Sequence, residues 1–402
     1  MSSTEPRPAK HATSVAFIAA GFAFASWAAR IPQVRDRLQV SPAVLGLILL
    51  SLALGALVAL PLAGSIIHRY GAAKTVERMS VLLAVGLVVA GVGYRYGPVP
   101  VVIGLVLVGF GNGAWDVAMN VHAAAVEKHL GRSIMPRFHA GFSLGTVAGA
   151  LISVPLVAWH VSVTIHMIAT AALVVALVPY FARRFLPELH EVEDSQTSVP
   201  AAPRGAALTA WREPRTLLIG VFVLCAAFTE GTGNDWLGVA VIDGYHTSAV
   251  VGTSVFAVFL AAMTTARWFG PAAIDRFGRV PVLRISVGLA LIGLVLVVIG
   301  AALPVAYLGT LLWGAGAALG FPVGMSAASD DPAMAPRRVS VVSSIGYTAF
   351  LAGPPVIGFL GSHVGVLRAL SIAAALLALA TVIVPVTREP AHVAGATEPA
   401  RR

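Results

Sequence analysis

The sequence predicts an all-α membrane protein in which twelve transmembrane helices form two pseudo-symmetric six-helix bundles. Composition gives the first indication, because 57% of the 402 residues are hydrophobic and 11% are charged, with a mean hydropathy of +0.85, whereas soluble domains carry about 25% charged residues. The second is a series of twelve apolar runs, each long enough to cross a bilayer. The third is a repeat between the two halves of the chain. A membrane barrel is excluded because its strands would be short and alternating.

The apolar runs form two sets of six. A cytoplasmic N-terminal tail at 1–12 is followed by the first bundle at 13–183, with spans near 13–35, 42–67, 75–95, 99–127, 138–159 and 163–183. Residues 184–214, which contain acidic residues and several prolines, are predicted to be a cytoplasmic linker. The second bundle occupies 215–387 and precedes a cytoplasmic tail at 388–402; its spans lie near 215–238, 248–274, 281–302, 305–327, 340–361 and 365–386.

The distribution of basic residues indicates membrane topology, although the net charge of +9 alone is also compatible with nucleic-acid binding. With the N-terminus in the cytoplasm, the outer side receives few of the 27 Lys and Arg residues, namely Arg30, Arg35, Arg37, Arg95 and Arg368. We therefore predict a multi-pass protein of the cytoplasmic membrane with both termini in the cytoplasm. Its partners are the lipid bilayer, a small-molecule substrate and protons, with no nucleic acid, and we expect a monomer. A single cysteine, Cys225, excludes an intrachain disulfide.

Two pairs of segments align between the halves. The loop after the second span has Arg69 and Gly71, which align with Arg276 and Gly278 after the eighth span. Glycines in spans four and ten align with nearly the same offset, Gly109 and Gly111 with Gly314 and Gly316. The halves therefore look like one duplicated six-helix unit, as expected of a two-lobed transporter.

These motifs resemble the major facilitator superfamily over nearly the whole chain. The loop signature of that family, Asp-Arg-x-Gly-Arg, is present as Asp275, Arg276, Gly278 and Arg279. The fourth span is similar to the fucose-permease-like branch, with its pattern at Gly111, Gly113, Asp116, Ala118 and Asn120. The chain differs from that branch in the first span, where Ala28 stands at the position of an acidic residue. The resemblance implies a major facilitator fold.

Polar residues in span four are spaced as one side of a helix. Asn112, Asp116 and Asn120 recur every four residues. A charged side chain in the middle of the bilayer costs about 3 kcal/mol, so this stripe must face the bundle interior or a wet cavity. We interpret Asp116 as a proton-coupling residue and the two amides as substrate-binding residues. The alternative is a permanently neutral, structural carboxyl group.

Span seven contributes a second polar set in the segment TEGTGNDW, residues 229–236. Glu230 and Asn234 lie one turn apart, so we assign Glu230 to proton coupling and Asn234 to substrate binding. Trp27 and Trp236 are candidate rings for stacking on a solute, although tryptophans are also common at membrane interfaces.

Several charged residues are candidates for gating. We expect Arg30 to pair with Asp235 or Asp116 when the outer side closes, because an unpaired buried charge is costly; the alternative is an arginine that reaches the interface. On the cytoplasmic side, the resemblance implies that Asp275 meets His139 or Arg137. The gating set is Arg30, Asp235, His139, Asp275, Arg276 and Arg279.

The function predicted is secondary active transport of a small polar solute, with a sugar-like compound as one candidate, by alternating access with proton symport. A proton-coupled exporter of an amphipathic compound is the alternative, although span five, Gly145 to Gly149, lacks the Gly-Pro pair that resembles antiporter helices. An enzyme is disfavoured because no nucleophile with a base and no metal-ligand spacing is found. No cofactor and no metal are expected.

Overall fold

The computed structural model describes residues 6–131, 134–186 and 207–389. In this part of the chain the regular structure is helical. The elements are α1 Pro6–Ala28, α2 Ile31–Leu38, α3 Pro42–Gly93, α4 Pro98–Leu130, α5 Met135–Ala158, α6 Val163–Ala182, α7 Ala207–Ala210, α8 Pro214–Tyr245, α9 Ala249–Phe277, α10 Arg279–Ile299, α11 Leu303–Ala317, α12 Gly320–Ala328, α13 Ala335–Val364, α14 Val366–Ala369 and α15 Ser371–Ile383, with a final 3-10 turn at Val384–Thr387.

The described helices supply twelve membrane spans. Eleven helical segments are long and apolar enough to cross a bilayer, and one of them, α3, has 52 residues. Gly71 divides α3 in the middle with a non-helical backbone, φ 79° and ψ 159°, so the two parts are separate spans. The prediction of an all-α membrane protein with twelve spans is confirmed.

Glycine conformation also supports the internal repeat. Gly278 separates α9 from α10 with φ 85° and ψ 159°, nearly the backbone of its predicted counterpart Gly71. A positive φ of this size strains every residue with a side chain, so both turns require glycine. The glycines of spans four and ten agree as well. A Cβ on Gly111 would contact the backbone of Leu83 in the preceding span, and one on Gly316 would contact Ala290 in its own preceding span.

Local chemistry explains where the spans begin. Ser41 caps α3 by accepting a hydrogen bond from the Val44 amide (3.4 Å), and Ser162 caps α6 in the same way with Ile165 (3.2 Å). Proline occupies the first turn of α2, α3, α4, α5 and α11, where no hydrogen-bond donor is needed.

The chain folds into two compact units. Unit 1 comprises Met1–Leu189, Asn234–Thr264 and Pro354–Ala369, and unit 2 comprises His190–Gly233, Thr265–Gly353 and Leu370–Arg402. The predicted division into bundles at 13–183 and 215–387 stays a prediction. The predicted linker at 184–214 and the C-terminal tail at 388–402 lie largely outside the described residues, whereas α1 already begins at Pro6 within the predicted N-terminal tail at 1–12.

Unit 1 is held together by close helix crossings. In α1 and α5, a Cβ on Gly21 would overlap the Phe142 carbonyl and one on Gly145 would overlap the Ile18 carbonyl. Such small residues let backbones approach and gain dispersion energy where lipid provides no hydrophobic driving force. The segments from α8, α9 and α13 that belong to unit 1 pack on the side predicted to be outer, where Gly46 contacts the Pro354 carbonyl.

The His122 side chain anchors the segment that follows α6 in unit 1. The Leu186 amide donates to Nε2 of this buried imidazole (2.9 Å), and the ring stacks on Phe185 with centroids 3.7 Å apart. Since Nε2 accepts, a neutral ring carries its proton on Nδ1, which lies 3.0 Å from the Thr13 hydroxyl. The imidazole therefore joins α4 to α1 and to the chain after α6.

Unit 2 contains a broken span. Span ten consists of α11 and α12, and the helix is interrupted between Ala317 and Gly320. An interruption leaves backbone carbonyls without helical partners, and in a membrane these must be satisfied by the protein. The partner of one of them is described with the candidate site.

Candidate functional site

The polar residues of α4 share one side of the helix, as their spacing predicts. Asp116 is exposed on the surface of unit 1, and Asn112 and Asn120 are half-buried on the same side. The Asn120 side-chain amide donates to the backbone carbonyl of Asp116 (2.8 Å) and makes a longer bond to its carboxylate (3.3 Å). Asn120 therefore holds the carboxylate in place without neutralising its charge.

No basic side chain of the described residues lies within 4 Å of the Asp116 carboxylate. An unneutralised carboxylate on a membrane helix is stable only where water reaches it. This surface of α4 is therefore suited to contact a water-filled space and to exchange protons with it.

A second carboxylate, Asp235, lines a small cavity within unit 1. The wall is formed by the end of the first span, by α8 and by α9, through Ala28, Ala29, Pro32, Asn234, Asp235, Gly238, Val239, Gly252, Thr253 and Phe256. The side-chain oxygen of Asn234 is buried without a hydrogen-bond donor among the described residues. The structure thus brings Asn234 and Asp235 together with the first span, as expected for a polar interior site.

The two candidate tryptophans are packed into unit 1. Trp27 is 2% exposed and Trp236 is fully buried, and neither indole N–H finds an acceptor in the described structure. In this conformation neither ring can stack on a solute. Their predicted role in binding therefore finds no support here.

Glu230 forms an ion pair in unit 2. The Arg267 guanidinium of α9 lies 2.7 Å from the Glu230 carboxylate of α8, and both side chains are partly buried. The Arg267 Nε also donates to the Ala318 carbonyl (3.2 Å) at the break in span ten. Arginine thus satisfies both the acid and a carbonyl freed by the broken helix. Broken helices often form binding sites in transporters.

Arg30 has a different partner from the one predicted. It is 2% exposed, and its Nε donates to Nδ1 of His166 in α6 (2.9 Å). No ion pair of Arg30 with Asp235 or Asp116 occurs among the described residues, so the expected pairing is wrong for this conformation. Only the Nε of the guanidinium is engaged by the imidazole of α6, and its Nη2 is buried without a described hydrogen-bond partner.

The ion pair at the predicted outer side is formed one turn further along. Arg35 of α2 binds Asp243 of α8 through two nitrogens, the longer bond being 2.9 Å. Arg35 also contacts Asp36. Since all three residues belong to unit 1, this pair helps to close its outer end.

The predicted cytoplasmic gating residues have mixed surroundings. Arg279 binds Asp330 (3.0 Å), which also receives Arg215 (2.7 Å). Asp275 and Arg276 are exposed, and His139 is exposed with its ring edge on Phe17. The proposed contact of Asp275 with His139 or Arg137 stays a prediction.

Glu213 belongs to the same face of unit 2 as the Arg279 cluster. Its carboxylate binds the Arg338 guanidinium at 2.6 Å. This contact, with a further hydrogen bond from Thr216, keeps the pKa of Glu213 below its ordinary value. Electrostatic contacts of this kind tie the start of α8 to the start of α13.

The sequence analysis did not predict the hydrogen-bond and ion-pair partners of the arginines in these contacts. Arg267 was assigned to the cytoplasmic side by its charge, although a lone arginine within an apolar run is itself a signal of an intramembrane pair. His166, Asp243 and Asp330 carry no local signal, because they are brought to their partners by tertiary structure.

Twelve membrane spans, an unneutralised carboxylate on one of them and a broken span define a polytopic membrane transporter rather than an enzyme. Comparison with known proteins agrees. The chain belongs to the Major Facilitator Superfamily, whose sequence pattern matches residues 12–333 and 224–402.

Relatives and solved structures support this assignment. The Uncharacterized transporter y4wD of Sinorhizobium fredii is 30% identical over 375 residues, which are 93% of this chain and 96% of the relative. The crystal structure of the nucleoside transporter NupG matches with a TM-score of 0.73 and 15% identity over 94% of this chain and 98% of the other. The structure of a D-xylose-proton symporter matches with the same values. At this identity the structures show the fold alone.

Proposed function

We propose that the protein is a secondary active transporter that moves a small polar solute across the cytoplasmic membrane together with a proton. In this proposal Asp116 carries the proton, and the amides of Asn112 and Asn120 bind the solute beside it. The two bundles expose the site to each side of the membrane in turn.

The observation that carries the proposal is the state of Asp116. This carboxylate lies on a membrane-spanning helix, is exposed, and has no basic partner within 4 Å among the described residues. A structural carboxyl group would instead be paired or buried in hydrogen bonds. The absence of a fixed counter-charge leaves the group free to gain and lose a proton.

The nature of the solute rests on amide chemistry. Asn112 and Asn120 each offer one acceptor and two donors, which suits hydroxyl and ring-nitrogen groups rather than a charged solute. A nucleoside transporter and a D-xylose-proton symporter share this fold, which supports a small polar solute and proton coupling for this chain. The resemblance of span four to the fucose-permease-like branch supports a sugar-like solute.

Glu230 differs from Asp116 because it has a basic partner. It is held by Arg267 at 2.7 Å, so it takes up a proton only if that ion pair opens. We therefore place the primary coupling step on Asp116.

The test is transport in proteoliposomes by the Asp116→Asn variant. A solute is first chosen from monosaccharides and nucleosides by its effect on thermal stability, because a ligand stabilises the state it binds. Wild-type protein is expected to accumulate this solute when a proton gradient is imposed. The variant is expected to lose accumulation, because an amide cannot change its charge, but to keep exchange of preloaded solute.

The matched control is Glu77→Gln, which removes a carboxylate of α3 that forms no ion pair among the described residues. It is expected to accumulate solute like the wild type. Full accumulation by Asp116→Asn would contradict the proposed role of Asp116 in proton coupling. The pH of the lumen decides the direction: solute entry that acidifies the lumen indicates symport, and solute entry that makes it alkaline indicates the antiport alternative.

A further inference from the structure

The cavity beside Asp235 contains an acid with no described partner. It has room for about one water-sized occupant. Most of its wall is apolar and comes from small residues and Phe256, and its polar groups belong to Asn234, Asp235 and Thr253. Asp235 makes no hydrogen bond and no ion pair with the described residues.

Among the described residues, no group in the wall donates a hydrogen bond to the carboxylate. The Thr253 hydroxyl donates to the Ala249 carbonyl (2.9 Å). The Asn234 oxygen is an acceptor, and it is itself buried without a donor. The cavity therefore holds two acceptor groups, the Asn234 oxygen and the Asp235 carboxylate, that receive no hydrogen bond from the described residues.

The nearby basic side chains form no ion pair with Asp235 in the described structure. Arg30 follows Ala29 directly; its Nε donates to His166, and its Nη2 is buried without a described hydrogen-bond partner. Arg35 lies one turn beyond and binds Asp243 and Asp36. From α9 the cavity receives Thr253 and Phe256, which bear no charge. No cation of the described structure neutralises Asp235.

An ionised carboxylate cannot remain in such a place. Removing an unpaired charge from water costs several kcal/mol or more, and the group is neutralised instead. A metal cation is disfavoured because the wall provides too few oxygen atoms to replace its hydration shell. A proton needs no such shell and converts the carboxylate into a neutral carboxyl group.

We propose that Asp235 is a second proton-binding residue of the transport cycle, and that it is neutral whenever the outer end of unit 1 is closed. The new O–H then donates to one enclosed water molecule, which in turn donates to the Asn234 oxygen. Both unmatched acceptors are satisfied by one proton and one water. Closure of the outer end therefore requires a proton taken from the outer solution.

This inference rests on the proposed function and changes the assignment of the second coupling residue. Glu230 was the sequence-based choice, but it already has the Arg267 guanidinium as its counter-charge. Asp235 has none, so closing the cavity changes its protonation state and leaves that of Glu230 unaffected.

The first experiment counts protons. In proteoliposomes, proton and solute fluxes are measured together for the wild type, Asp116→Asn and Asp235→Asn, with the solute found in the stability screen. Asp235→Asn is expected to carry one proton fewer per solute than the wild type. If the wild type moves no protons with the solute, the proposed function fails. If the wild type moves protons and Asp235→Asn moves the same number, only the present inference fails.

The second experiment does not need transport. The infrared spectrum of purified protein at neutral pH is recorded for the wild type and for Asp235→Asn, and one is subtracted from the other. The difference is expected to contain the carbonyl band of a protonated carboxyl group, and loss of carboxylate bands alone would overturn the inference. Glu230→Gln, which removes an ion-paired acid of the same helix that belongs to unit 2, is the control and should leave the carbonyl band in place.

Asn234→Leu supplies a variant that retains the acid. Removing the acceptor of the bridging water is expected to shift the carbonyl band of Asp235 without abolishing it. An unshifted band would show that the water does not connect the two side chains and would overturn that part of the inference.

Discussion

Carboxylates within the spans differ mainly in what lies beside them. Asp116 and Asp235 have no basic partner among the described residues, whereas Glu230 is bound by Arg267 at 2.7 Å. Because a fixed counter-charge stabilises the ionised form, the first two acids suit proton exchange and the third suits a structural or gating role.

The Glu230–Arg267 pair can be tested by its energetic coupling. Glu230→Gln is expected to lower the thermal stability of the detergent-solubilised protein, because the guanidinium then lacks its counter-charge within the span. Arg267→Gln should do the same. The double variant should lose less than the sum of the two, with a coupling of about 0.5–3 kcal/mol. Strictly additive losses would contradict a direct interaction.

At the scale of single residues, the sequence predicts part of the candidate site. Asn112, Asp116 and Asn120 follow from helical spacing, since neighbours at i and i+4 meet on one side. The contact of Arg35 with Asp243 joins residues 208 positions apart, and no local pattern predicts it. Ala28 occupies the position at which the resembled branch has an acidic residue, and it lines the cavity of Asp235. Asp235 therefore shares a cavity with the position at which this chain lacks that acid.

Helices in this protein approach closely at glycines. A Cβ on Gly109 of α4 would overlap the Leu52 carbonyl of α3. Gly64, also in α3, has no atom within 4 Å of the place where a Cβ would lie. The same substitution at the two positions therefore separates packing from backbone effects.

Gly109→Ala is expected to destabilise the protein by about 1–3 kcal/mol, because the added methyl forces the helices apart. Gly64→Ala is expected to be neutral or to stabilise by roughly 0.5–1 kcal/mol, since alanine is the better helix residue. Thermal unfolding of both variants in detergent is the measurement. Equal stability of the two variants would show that the crossing of α3 and α4 tolerates a side chain.

Element boundaries were only partly predictable. The twelve spans follow from hydropathy, because every span must satisfy its own backbone in lipid. The break of span ten after Ala317 was not predicted, although Pro322 provides a local signal for it. Proline has no N–H, so Pro322 cannot donate to the Ala318 carbonyl four residues before it, and Arg267 of another helix takes up this freed carbonyl instead.

At the scale of the molecule, the distribution of basic residues predicts the orientation in the membrane. Tyr96 lies in the connection between α3 and α4 and is 80% exposed, and His129 is exposed at the end of α4. The charge rule places Tyr96 outside and His129 in the cytoplasm.

Labelling of introduced cysteines tests this orientation in cells. In a Cys225→Ala background, Tyr96→Cys is expected to react with a membrane-impermeant maleimide in intact cells. His129→Cys is expected to react only after the membrane is permeabilised. The reverse pattern would place both termini outside and would invert every assignment of outer and cytoplasmic sides.

The matching glycines Gly71 and Gly278 also bear on the origin of the two halves. Both hold nearly the same left-handed backbone, although the side chains around them have diverged. If the two halves arose by the predicted duplication, a tight reversal of this shape was present in the ancestral half-length chain. A substitution at Gly71 is therefore expected to have the same kind of effect as the same substitution at Gly278.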